Sequence, residues 1–227
     1  AIAGAKAIVV NTPHNPTGKV FTHGELQFIV NLCIKHDCYI ITDEIYEHMC
    51  YRKATKPHIL IPQAFPQMRD KTLVCNSIGK SASATGWRLG WCVHPSAVCN
   101  AYRGVHDQIA VMAPHPMQHA VLSYFALPQS FFKEDLAVRY LDRIRRLATA
   151  LRSVGFVVIQ PEGAYYLHAN YRSVPTLSHM NPTDAALYLL KEVGLACVPG
   201  DNFYRKDTNE ASKYLRFAAC RSNADIE

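Results

Sequence analysis

Short apolar runs alternate with polar clusters through the first half of the chain. Ala7 to Asn11 reads as a buried strand and is followed by a turn rich in Pro and Asn. Thr22 with Glu25 then gives a capping-box signal for a helix running to about His36, because Leu26, Ile29, Val30 and Cys33 share one face at helical spacing. Tyr39 to Thr42 is a second short apolar strand, Thr72 to Asn76 a third and Arg88 to Val93 a fourth, each ending in a polar cluster. Strands alternating with helices predict a mostly parallel α/β sheet. In open sheets of this kind ligands bind outside the carboxyl ends of the strands. Asn15, Asp43 and Lys80 each lie just past such an end, so they are placed to converge.

The second half has a different rhythm. Helical patterns cover Pro95 to Gln108 and Pro116 to Phe125, and a long helix is predicted from about Ser130 to Val154, stopped by Gly155 as its C-terminal cap. Strand-like segments follow at Phe156 to Ile159 and Tyr165 to Asn170, then a helix from Asp184 to Val193 and strands near Leu195 to Val198 and Tyr214 to Ala219. A boundary along the long helix, between residues 128 and 140, divides the chain into residues 1–130 and a smaller α+β domain of residues 131–227.

Composition narrows the function classes. A hydrophobic fraction of 49% and scattered Pro and Gly are those of a folded globular chain. The net charge of +6 is spread out except at Arg139, Arg143, Arg145 and Arg146. That run is interleaved with Leu and Ile at core spacing and reads as a solvated helix face rather than a nucleic-acid surface, while leaving anionic small ligands open. The eight cysteines contain no C-x-x-C pair and several sit in apolar strand-like runs, so they read as reduced core residues of an intracellular protein, with no metal site. No stretch is long enough to span a membrane. The opening AIAGAKAIVVNTP enters a strand almost at once, which suggests a start inside a domain.

Three polar clusters can carry chemistry. In IITDEIYEH, Asp43 follows apolar residues, so its carboxylate is drawn from water and needs a cation or hydrogen-bond donors; the alternative is a helix N-cap. In CNSIGKSASATGWRLGW, small residues let backbone approach a ligand, hydroxyls and amides suit phosphate oxygens, and Lys80 and Arg88 add positive charge. Lys80 serves there as a phosphate contact or a nucleophilic amine, and a surface loop is the plain alternative. In NTPHNPTGKV, Pro and Gly hold an extended turn in which Asn15 offers both a donor and an acceptor.

In this order, N-T-P-H-N-P-T-G, D-E-I-Y, S-I-G-K with S-A-T-G-W-R-L-G-W, and Y-L-R-F resemble the class I and II aminotransferases of fold type I over essentially the whole chain. The resemblance implies a three-layer α/β/α large domain, a smaller C-terminal domain and the cofactor pyridoxal 5'-phosphate. It makes Lys80 the Schiff-base lysine and the base that moves the substrate Cα proton, and Asp43 the partner of the pyridine nitrogen. Asn15 and Tyr46 fall on positions that bind the cofactor's phenolic oxygen, Ser77 and Arg88 on phosphate-binding positions. Arg216 matches the arginine that clamps the substrate α-carboxylate, with Asn15 beside the substrate. Tyr165, Tyr166, Phe203 and Tyr204 match pocket-forming segments, with core packing as the alternative for them.

By the same resemblance the partners are an amino acid and a 2-oxo acid, with no nucleic acid and no membrane, and the intact form is a homodimer. The family carries a long segment ahead of the first motif, so the chain is expected to be a C-terminal part, its compartment cytoplasmic with an organelle as the alternative. The competing activities are a carbon–sulfur β-lyase, in which the same carbanion expels a β-substituent, and a truncated non-catalytic homologue.

Overall fold

The computed structural model describes residues 2–51, 56–205 and 208–221. They form two compact units, one of residues 1–13 with 20–136 and the other of 14–19 with 137–227. No local signal announces that His14–Lys19 folds with the second unit.

The first unit contains β1 (Ala7–Asn11), α1 (His23–Lys35), β2 (Tyr39–Asp43), α2 (Ile61–Ala64), β3 (Thr72–Ser77), α3 (Ile78–Ser81), β4 (Gly90–Val93), α4 (Cys99–Ile109) and α5 (His115–Phe125). The strands lie in the order β1-β2-β3-β4, the first three parallel and β4 antiparallel to β3. The fold is thus α/β with a mostly parallel sheet, as the alternating pattern predicts. The α1 capping box is formed: Thr22 Oγ1 accepts from the Glu25 backbone N–H at 3.3 Å and the Glu25 carboxylate accepts from the Thr22 N–H at 2.8 Å. This fixes the helix phase. Leu26, Val30 and Cys33 then face Val10 and Ile40 of the sheet, and Ile61, Phe65 and Met68 complete that core. Each such aliphatic side chain contributes about 1.5–3 kcal/mol on burial.

β4 starts at Gly90, two residues later than the apolar run suggests, because Arg88 adopts a left-handed backbone (φ 54°, ψ 44°) that cannot continue a strand. The Pro95–Gln108 pattern likewise opens as a short 3-10 turn before α4.

The second unit contains α6 (Leu136–Ser153), β5 (Val157–Val158), β6 (Tyr166–Asn170), α7 (Pro182–Tyr188), β7 (Val198–Pro199) and β8 (Tyr214–Ala218). Its sheet runs β5-β6-β8-β7, antiparallel throughout. Tyr140, Ile144, Ala148 and Leu151 recur at helical spacing on the buried face of α6; of the arginine run, Arg139 and Arg145 are exposed to solvent while Arg143 and Arg146 are half-buried, Arg143 over the Tyr140 ring. Gly155 (φ 98°) ends the helix, and Phe156 turns inward against Phe217. The strand expected over Leu195–Val198 starts only at Val198. The π-helical turn Leu189–Val193 extends α7, Gly194 (φ 77°) caps it, and the Leu195 N–H is consumed by the Leu189 carbonyl. No helix among the described residues is long and apolar enough to cross a membrane.

Gly18 holds the early segment in the second unit. Its φ is 69°, its carbonyl accepts from the N–H groups of Glu162 and Gly163, and an added Cβ would lie 2.3 Å from Pro161 Cβ and 2.8 Å from the Gly163 carbonyl oxygen. Gly18→Ala is expected to destabilise this unit by roughly 2 kcal/mol or more, combining the left-handed penalty with the clash. The check is a lowered urea midpoint at unchanged slope.

Candidate active site

The carboxyl ends of β2 and β3 generate the first cluster. Register aligns Asn11, Asp43, Cys75 and Cys92 in one row across the four strands. Asn11 Nδ2 donates to the Asp43 carbonyl at 3.0 Å, and the Ile45 N–H approaches Asp43 Oδ1 at 3.4 Å. Burial is the main cause that raises the Asp43 pKa above its ordinary value; the Ile45 N–H opposes it, Glu44 adds to it and the Lys80 charge opposes it. Tyr46, three residues on, is buried.

After β3 the chain turns at once into α3, with Ser77 as its N-cap. Ser77 Oγ accepts from the Gly79 N–H at 2.9 Å and donates to the Leu89 carbonyl at 2.8 Å, which ties the loop carrying Arg88 to the start of α3. Ser77, Lys80 and Arg88 line one pocket of about 290 Å³, with Ile45, Thr85 and Gly90 among its other walls. Lys80 and Arg88 are the charged groups in that lining, so the pocket attracts anions. Arg88 is held there by its left-handed backbone and by donation from Nη1 to the Thr85 carbonyl at 3.0 Å. Backbone approaches closely, because a Cβ on Gly79 would lie 3.1 Å from Ser77 Oγ and one on Gly90 2.8 Å from the Asn76 carbonyl oxygen.

Several supporting residues escape sequence reasoning. Glu44 is fully buried and its carboxylate meets His58 Nε2, fourteen residues on, while Glu44 Oε1 and His58 Nδ1 have no further hydrogen-bond partner among the described residues. The ligand atoms of Glu44, Glu47 and His58 lie within 4.8 Å of one another, with the direct Glu44–His58 contact at the centre of the cluster. Asn76 donates to Glu47 Oε1 at 2.5 Å and its Oδ1 accepts from the Ser77 N–H at 2.7 Å, bridging the segment after Asp43 to the Ser77 turn. Ser81 Oγ and Tyr124 Oη are 2.6 Å apart, so α5 braces the residue after Lys80. A buried charge in D-E-I-Y is the only one of these signals visible in sequence; nothing marks His58 or Tyr124 as partners.

The second unit assembles another cluster. Arg216 on β8 donates from Nη1 to Asn15 Oδ1 at 3.0 Å, and its guanidinium lies 4.5 Å from the Tyr166 ring centroid and 4.9 Å from that of Phe203. Arg216 Nε is buried without a hydrogen-bond acceptor among the described residues. His168, the register partner of Arg216, stacks on Tyr214 at 4.4 Å and reaches Tyr204 Oη at 3.1 Å. Of the aromatic residues singled out in the sequence, Tyr166 and Phe203 thus flank Arg216 and Tyr204 contacts its neighbour, while Tyr165 is a buried core ring stacked on Tyr140.

The family model for aminotransferases of class I and II matches residues 1–227. Human kynurenine–oxoglutarate transaminase 1 is 33% identical over 237 residues, covering 98% of this chain and 56% of that protein. The Dictyostelium discoideum kynurenine–oxoglutarate transaminase is 30% identical over 240 residues, covering 98% and 54%. The chain spans about half the length of the curated relatives it matches. Among solved structures, N-succinyldiaminopimelate aminotransferase from Mycobacterium tuberculosis superposes with a TM-score of 0.89 at 28% identity, covering 97% of this chain and 56% of that one. The aromatic aminotransferase from Pyrococcus horikoshii gives 0.84 at 27%, covering 98% and 57%.

Two outcomes test these clusters. His58→Ala leaves the Glu44 carboxylate buried without its partner and is expected to cost about 3–5 kcal/mol in a denaturant titration, with His58→Gln, which keeps an N–H donor, costing less. Burial first, then the positive charges of His14 and Arg216, lower His168 from 6.5 to about 4. The unfolded chain therefore binds that proton more readily, so the His168 contribution is complete above about pH 6.5 and lost as the pH falls toward 4. His168→Phe should flatten the melting temperature across that window.

Proposed function

The chain belongs to the class I and II aminotransferase family, and on that premise we propose that it works in a pyridoxal 5'-phosphate-dependent aminotransferase moving an amino group between an amino acid and a 2-oxo acid. The observation that carries this reading is the pocket in which Lys80 and Arg88 converge with the Ser77 hydroxyl at the carboxyl end of the sheet.

The residues fit the cofactor. Arg88 and Ser77 offer a phosphate two positive or polar contacts, and the Ser77 hydroxyl can turn its proton from the Leu89 carbonyl to a phosphate oxygen. Asp43, whose burial disfavours its charge, gains a counter-charge when a protonated ring nitrogen faces it. Tyr46 follows on the same segment as a phenolic hydrogen-bonding group. Bound pyridoxal phosphate supplies an electron sink for the pair left when an amino acid loses its Cα proton.

Lys80 Nζ then holds that proton and returns it, acting as general base and general acid in turn. Arg216 orients the substrate by its carboxylate: the buried Nε without an acceptor and the Tyr166 and Phe203 rings on its guanidinium keep a planar donor face ready. Asn15, hydrogen-bonded to Arg216, fixes the guanidinium and stands beside the substrate. The first unit thus acts as the cofactor-binding domain and the second as the carboxylate-binding domain. The names of the relatives and the aromatic rings around Arg216 support kynurenine or another aromatic amino acid as donor and 2-oxoglutarate as acceptor. Family membership supports a homodimer as the working assembly.

The test begins with pyridoxal phosphate, borohydride and peptide mapping, where the fixed adduct is expected on Lys80 and lost in Lys80→Ala. With kynurenine and 2-oxoglutarate, glutamate should form, and Lys80→Ala should reduce its rate at least about 1000-fold. Arg216→Ala should act chiefly on KM for the amino acid, removing a charged contact of about 1.5–3 kcal/mol. Release of pyruvate and ammonia from a β-substituted amino acid in place of glutamate would replace this reading with a β-lyase, and a folded chain with no Lys80 adduct would overturn it.

A further inference from the structure

We propose that Cys75 and Cys92 form a thiol–disulfide site, in which a low-molecular-weight disulfide is the oxidant and an intrachain bond between β3 and β4 is the product. The register makes Cys75 and Cys92 direct partners on antiparallel strands. Directly opposed residues on such strands have Cα atoms about 4.5–5.5 Å apart, inside the range of about 4.4–6.8 Å that a disulfide spans. Both residues are partly exposed. A second close pair, Cys33 and Cys38, is fully buried in the α1 core, out of reach of a dissolved oxidant. Position and access together single out the cross-strand pair.

The two sulfurs differ in role. Burial, followed by the neighbouring Cys92, pushes Cys75 up to about 12, which makes it the poorer nucleophile. Cys92 sits on β4, the last strand of the sheet, and is partly exposed, so a dissolved disulfide can reach it. Cys92 gives its proton to water and its sulfur attacks one sulfur of the small disulfide, forming a mixed disulfide and releasing one thiolate, which takes up a proton. Cys75 then loses its proton and attacks Cys92 Sγ, closing the cross-strand bond and releasing the second thiol. Two protein thiols are oxidised and one small disulfide is reduced to two thiols.

The bond lies next to the anion-binding pocket. Two residues along each strand from the cysteines is the Ser77–Gly90 rung, and both of those residues line the pocket. On the other side of Cys75 in the same row is Asp43. Oxidation therefore stitches together the two strands that frame Ser77, whatever ligand the pocket takes.

The experiment exposes the folded chain to glutathione disulfide, alkylates the remaining thiols and maps the tryptic peptides by mass spectrometry. Lys80 and Arg88 lie between the two cysteines, so their peptides stay joined only through a disulfide. The expected result is a Cys75–Cys92 linked pair as the dominant product, separated by reduction and no longer dominant when the oxidation is run in denaturant. Cys75→Ser should then trap glutathione on Cys92 about tenfold or more faster than Cys92→Ser traps it on Cys75. Wild-type oxidation that leaves Cys75 and Cys92 alkylated, or links them no more often than in denaturant, overturns the proposal; equal trapping in the two variants overturns the order of attack.

Discussion

Two consecutive carboxylates, Asp43 and Glu44, are carried out of water at the end of β2, and the surrounding packing is organised by what that costs. Glu44 is fully enclosed and takes His58 as its partner. Asp43 keeps some exposure and stands beside the charge of Lys80, its proton affinity raised by the same burial. One carboxylate is thereby spent on holding the fold while its neighbour is left with a charge deficit that a ligand can fill. The arrangement requires the parallel register of β1, β2 and β3, since Asn11 supports the Asp43 carbonyl and the Cys75 carbonyl accepts from the Glu44 N–H.

From that point order spreads along hydrogen bonds. Glu47 orients Asn76, Asn76 holds the Ser77 backbone, and Ser77 caps α3 while gripping the Leu89 carbonyl. Lys80 and Arg88 lie on the two segments so joined. Tyr124 closes the set from α5 by meeting Ser81. The left-handed Arg88, with a local cost of about 1–2 kcal/mol for a residue with a Cβ, persists because its neighbours hold it.

Local signals made much of this legible. The apolar runs located β1, β2 and β3 and the capping box set α1 to within a residue; of the polar residues expected at the strand ends, Asp43 closes β2 and Lys80 lines the pocket after β3. Local signals could not reveal pairings that depend on distant chain. His58 meets Glu44 across an excursion with no periodicity, and the Tyr124–Ser81 contact depends on where α5 docks. β4 runs antiparallel to β3 after the left-handed Arg88, a reversal that an apolar run alone cannot show. The late start of β7 arises from the way a helix terminates, by a π turn and a left-handed glycine, rather than from strand propensity. The Asn15–Arg216 contact spans 201 positions and is invisible to any window of sequence.

That last separation bears on how the molecule comes into being. The second unit is stitched from residues 14–19 and from the chain beyond residue 136, so its earliest piece leaves the ribosome long before any of its partners exist. At a synthesis rate of about 5–20 residues per second, the His14–Lys19 loop waits for many seconds while the first unit's strands and helices become available on either side of it. The second unit cannot close around Gly18 until residues 161–163 have been made, nor around Asn15 until β8 has been made. Arg216 therefore meets Asn15 only after the whole first unit has been made, and assembly of its cluster reports that the polypeptide has been made through to β8.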